Sequence, residues 1–113
     1  MKIDLYQKLF DEYGEEILMP QKVRVKEGEK VTGETPTMTL KDVVVSSITI
    51  PIKDETEKEK LEKWDIYKKV RDAKDGIVDL ETDDIVKIKR AIGKLQPTLL
   101  VGQSFEMLEK KNN

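Results

Sequence analysis

The stretch Thr39-Leu40-Lys41-Asp42-Val43-Val44-Val45-Ser46-Ser47-Ile48-Thr49-Ile50-Pro51 decides what kind of fold this chain adopts. Read from its start it is a helix: Thr39 can accept from first-turn amides, and Asp42 puts negative charge where the helix dipole favours it. Read from its middle it is a strand, because β-branched residues dominate it. Leu40, Val43, Val44 and Ile48 fit one helical face, whereas Val44, Ile48, Ile50 and Ile52 fit one face of a strand. Local propensity leaves both open, and Pro51 makes a good helix stop.

Toward the C-terminus the signals are clearer. Residues 54–72 form an amphipathic helix pattern, with Glu59 to Lys63 and Asp65 to Lys69 as i,i+4 pairs in the acid-first order. Trp64, Tyr67 and Val70 recur every three residues beside Ile66, which gives an apolar face. An exposed ion pair contributes roughly 0.2–0.5 kcal/mol, so burial of Trp64 is expected to matter more in holding this helix. Lys74-Asp75-Gly76 reads as a turn. Thr82 is the expected N-cap of a helix opening on Asp83 and Asp84, with Ile85, Ile88, Ile92 and Leu95 on one face. Pro97 either closes that helix or sits in the first turn of another, whose face holds Val101, Phe105 and Leu108. Residues 110–113 are expected to fray.

Toward the N-terminus, Ile3, Leu5 and Leu9 share a period-2 face, and Asp11-Glu12-Tyr13-Gly14 suits a turn before Ile17-Leu18-Met19. The expectation is a hairpin. A short helix using Ile3, Tyr6 and Phe10 is the competing arrangement. After Pro20, the alternation of Val23 and Val25, a turn at Glu27-Gly28-Glu29 and Val31 suggest a second hairpin, and Gly33-Glu34-Thr35-Pro36 reads as a linker. The expected fold is therefore α+β and predominantly helical: N-terminal β-hairpins, then a bundle of three to four helices. One domain is expected over residues 1–113, extended in 1–36 and helical in 37–111.

Composition narrows the chemistry. The 113 residues include no His and no Cys, although 39% are charged. The commonest general base, the thiolate nucleophile and the dominant zinc ligands are thus missing. Hydrophobic content of 37% and aromatic content of 5% point to a small aliphatic core. With 21 basic and 23 acidic residues interspersed, no basic field stands out. Met1-Lys2-Ile3-Asp4-Leu5 lacks the apolar run of a signal peptide, and no window approaches a membrane span, so a cytoplasmic protein without a membrane partner is expected.

The candidate sites are modest. Setting Gly76 at the sixth position of a calcium loop puts Arg71 at the first, Ala73 at the third and Thr82 at the twelfth, where oxygen ligands of another kind are needed. The acidic group Asp79, Glu81, Asp83 and Asp84 is explained by a helix start. Neither a phosphate-cradling nor a dinucleotide-binding glycine pattern is present, so no catalytic residue, cofactor or metal site is expected. Lys87, Lys89, Arg90 and Lys94 could present charge to nucleic-acid phosphates, although the same residues complement a helix C-terminus.

The order Thr39-Leu40-Lys41-Asp42-Val43, Glu59-Lys60-Leu61, Trp64-Asp65-Ile66-Tyr67, Val78-Asp79-Leu80, Asp84-Ile85, Ile88, Leu99-Leu100-Val101-Gly102-Gln103 and Leu108 resembles small uncharacterised proteins of bacteriophages and prophages. The likeness covers residues 1–10 and 37–109. It implies a short N-terminal strand pair followed by helices, with residues 39–50 helical and residues 19–37 as an insertion. It carries no catalytic motif. The function expected is that of a non-enzymatic, phage-encoded accessory protein that binds a host or phage protein, with Trp64, Tyr67, Phe105 and Met107 facing that partner or a second copy of the chain. The alternatives are a DNA- or RNA-binding regulator using the basic helix 83–95, and a virion-assembly or structural component.

Overall fold

Helix α1 (Leu40–Thr49) is the stretch of divided propensity, and the other helices pack around it. The computed structural model describes residues 1–19 and 37–109. The second hairpin and linker expected within 20–36, and the fraying expected at 110–113, lie outside the described residues, as does most of the 19–37 insertion.

Helix prevails at α1 because its first turn is satisfied from two directions. Asp42 Oδ2 accepts from the Thr39 amide at 2.7 Å and from the Thr39 hydroxyl at 3.1 Å. The Leu40 and Lys41 amides donate to the carbonyls of Gln7 and Leu5 at 2.8 and 2.9 Å. Amides that an isolated helix leaves unpaired are thus paired by the N-terminal segment. The helix also buries Val43 and Val44 together, with Leu40 and Ile48, whereas a strand would turn one of the two valines outward. Ile50, which the strand face would have buried, is 45% exposed. The last bond runs from the Ile50 amide to Ser46, and Pro51 follows with no amide to give.

The N-terminal segment is extended, and its period-2 face is the buried one: Ile3, Leu5 and Leu9 are at most 3% exposed, while Tyr6 and Phe10 point outward. A hairpin closes at the expected place. Asp11 Oδ1 accepts from the amides of Tyr13 and Glu15, Gly14 has a positive φ of 79°, and Phe10 bridges Glu16. The approach to α1 then lies alongside, with bridges Lys8 to Thr39 and Leu18 to Thr37.

Strand β1 (Lys2–Asp4) finds its partner far along the chain. It pairs antiparallel with β2 (Ile77–Asp79), Ile3 opposite Val78. No element was expected at Ile77–Asp79, because three residues are too few to show a period. The turn before it was legible: Asp75 and Gly76 have φ of 57° and 74°, and the Ile77 amide donates to Lys74 across them. Asp-Gly with two positive φ values suits the twist of a tight hairpin.

Helix α2 (Glu57–Arg71) is capped by Thr56, whose hydroxyl accepts from the Glu59 amide at 3.1 Å. Its buried face is Lys63, Ile66 and Val70, so the expectation that Trp64 anchors the helix is corrected: Trp64 is 49% exposed. The periodicity identified an apolar face correctly at Ile66 and Val70, but Trp64 sits beyond the edge of α1. The expected ion pairs change too. Lys63 pairs with Glu55 and Lys69 with Asp84, because fixed partners outside the helix turn outcompete flexible exposed ones. Helix α3 (Thr82–Leu95) starts one residue earlier than expected, with Glu81 at the N-cap and its amide donating to Asp84. Pro97 stands between the two expected roles: it follows Gln96, the C-cap of α3, and its carbonyl accepts the first bonds of α4 (Thr98–Glu109) from just outside that helix.

Among the described residues the result is α+β, predominantly helical, with an N-terminal hairpin followed by four helices. Its buried side chains form one aliphatic cluster running from Ile3 to Leu108.

Candidate functional site

Past Thr49 the chain leaves α1 and crosses to α2, and this crossing leaves an apolar groove beside the exposed edge of α2. Its walls are Ile48, Thr49, Ile50 and Pro51 on one side and Lys60, Lys63, Trp64 and Tyr67 on the other, around a space of about 470 Å³. The placement follows from helix geometry: Lys60, Trp64, Tyr67 and Arg71 are spaced four, three and four residues apart and so share a stripe. Trp64 stacks on Tyr67 with centroids 5.5 Å apart and planes 28° from parallel, and the Arg71 guanidinium lies 6.0 Å from the Tyr67 centroid. The aromatic pair is stacked while half of the indole remains in water. Exposed single apolar residues are ordinary; here a stacked aromatic pair faces Ile50 and Pro51 across a groove.

Glu55 and Lys63 form the far end of this groove. Lys63 Nζ stands 2.5 Å from Glu55 Oε2, with the two side chains 11% and 4% exposed. The approach angles lie outside hydrogen-bond geometry, so the contact is an ion pair in which the ammonium has no hydrogen-bond partner among the described residues. The same pair borders a second space of about 430 Å³ between the α1–α2 connection, α2 and α3. Its α3 wall carries Lys87, Arg90 and Lys94, and Lys53 stands on the α1–α2 connection beside Asp54. Asp54, Glu59 and Glu62 stand on the other side.

Of the four residues expected to face a partner, the structure brings Trp64 and Tyr67 to the groove. Phe105 and Met107 lie on α4, half-buried against the core, with Lys89 Nζ 5.0 Å from the Phe105 centroid. The four basic residues of α3 also divide. Lys87 pairs with Glu62 at 3.3 Å and Lys89 with Glu109, while Arg90 and Lys94 are exposed and form no ion pair among the described residues. Ile50, Pro51, Glu55, Lys60 and Lys63 were not anticipated. The Ile-Pro that ends α1 was the available signal, since an apolar residue held at a helix terminus has no face of its own to hide on.

The acidic cluster is occupied structurally. Asp84 accepts from Lys69 at 2.7 Å and from the Glu81 amide at 3.1 Å. Burial opposes its charge, but these hydrogen bonds and the nearby charges of Lys69 and Lys87 outweigh it and hold the carboxyl below its ordinary value. Lys69 is raised in turn, chiefly by the hydrogen bond to Asp84. Among the described residues no three carboxylates converge as a cation site would require, and no helix is long and apolar enough to cross a membrane.

Comparison of the chain with protein-family models, with curated proteins and with solved structures returned no match in any of the three.

Proposed function

We propose that this protein is a non-enzymatic binding module that docks a partner protein in the groove between Ile50 and the Trp64–Tyr67 pair. The resemblance to phage and prophage proteins supplies the setting: an accessory factor acting on a host or phage protein in the host cytoplasm. The observation that carries the proposal is the half-exposed indole of Trp64, stacked on Tyr67. Covering the exposed half, roughly 100 Å², is worth about 2.5 kcal/mol, and rigid aromatic residues give up little entropy on binding.

Affinity capture from infected host lysate, run in parallel with wild-type protein and W64A, tests it. A partner whose recovery depends on Trp64, and which then binds the purified wild-type protein in calorimetry, is the expected result. Equal recovery by both proteins, or no stoichiometric partner and no self-association by sedimentation, counts against it. The second reading, a nucleic-acid-binding regulator, draws on the unpaired Arg90 and Lys94. It requires affinity that falls steeply with salt and is lost when these two are neutralised.

A further inference from the structure

We infer that the segment bound in the aromatic groove belongs to an acidic partner: an apolar anchor seated on Trp64, Tyr67 and Ile50, followed by carboxylates that reach the α3 wall. This rests on the groove being the docking site. It adds the chemistry of the occupant.

The two spaces described above share Glu55 and Lys63, so they are successive parts of one surface path. The first part is apolar. The second is asymmetric: Lys87, Arg90 and Lys94 are spaced three and four residues apart on α3 and form one basic edge, whereas Asp54, Glu59 and Glu62 lie across from it. Internal pairing uses up some of these charges. Glu62 takes Lys87, and Glu55 takes Lys63. Lys53, Arg90 and Lys94 have no carboxylate within ion-pair distance among the described residues, against Asp54 and Glu59 on the other sign. A segment leaving the aromatic groove over the neutral Glu55–Lys63 pair therefore meets two free cations, Arg90 and Lys94, on its α3 side. Acidic residues placed a turn beyond an apolar anchor are complementary to that edge, and basic ones are not.

The test is selection from a display library of short random peptides, followed by titration of the enriched peptides. Trp64 is the single Trp of the chain, so its fluorescence reports occupancy in the proteins that keep it, and calorimetry reads binding in W64A. The expected outcome is enrichment of a bulky apolar residue flanked by Asp or Glu. Binding should be lost in W64A, weakened about tenfold in R90E/K94E and weakened by added salt. It should be regained by R90E/K94E when the acidic positions of the peptide are changed to Lys. That charge swap, with circular dichroism on each variant, separates lost recognition from lost folding. Enrichment of apolar anchors without acidic preference overturns the inference but leaves the groove intact as a docking site. Absence of any Trp64-dependent peptide overturns both. Salt-steep binding of oligo(dT), unchanged in W64A and lost in R90E/K94E, also overturns the inference and assigns the basic edge to nucleic acid.

Discussion

Gly76 is the most constrained of the described glycines. Its φ is 74°, and a Cβ built on it would stand within 2.4–2.7 Å of three ring atoms of Tyr6, whose neighbour Leu5 donates its amide to the Gly76 carbonyl at 2.7 Å. Left-handed backbone costs a residue with a Cβ about 1–2 kcal/mol, and displacing the ring adds to this. G76A is expected to lose about 2 kcal/mol or more in urea unfolding, with part regained in Y6A/G76A. Asp84 makes a pH prediction. Its folded pKa is depressed, so its contribution is present above the unfolded value of about 3.9 and is lost as pH falls through the lower folded value. The difference in thermal midpoint between wild type and D84N should be fully developed near neutral pH and shrink progressively below about pH 4. Such residues show how unevenly a sequence is legible. Asp75-Gly76 announced a turn, but nothing in the chain announced that Tyr6 would cover it.

At the scale of elements, α2 shows what periodicity reads and what it misses. The spacing of Ile66 and Val70 located the buried face, but the expected start at residue 54 was three residues early, because Thr56 caps the helix and Glu57 opens it. The same spacing placed Trp64 with them, because a three-residue period cannot say where the neighbouring helix ends. Ion pairing was legible only as local arithmetic, and the pairs formed instead reach Glu55 before the helix and Asp84 on α3. The Glu55–Lys63 pair gives a test. Removing one partner of a buried pair strands the other charge, at about 3–5 kcal/mol, whereas replacing both with apolar side chains is often neutral or better. K63M should therefore be strongly destabilised, and E55M/K63M should recover most of the loss. A chemical-denaturation double-mutant cycle measures it.

Over the whole molecule, stability and the proposed recognition fall on different residues. Leu5 lies in the N-terminal segment, is 1% exposed, and supplies the carbonyl that pairs the first turn of α1. L5A should cost about 2–5 kcal/mol, and because the aliphatic cluster is continuous, helical circular dichroism and Trp64 fluorescence should be lost in one transition. W64A removes a side chain that is half in water. Its thermal midpoint should stay close to wild type while partner binding is lost, so a large drop in stability would show that the indole serves the core instead.

By itself the sequence determined a helix-rich α+β chain without imidazole or thiol chemistry, with its apolar residues at helical and strand periods and its turns at Asp11–Gly14 and Lys74–Gly76. Those are local properties, set by side-chain branching, capping and backbone freedom over a few residues. Tertiary structure alone decided the rest. It made Leu40–Thr49 a helix by pairing its first amides with Gln7 and Leu5, and it joined Lys2–Asp4 to Ile77–Asp79. It also left Trp64 outside the core while enclosing Lys63. Each of these depends on contacts between residues far apart in the chain, whose free energy is available only once the whole aliphatic cluster closes.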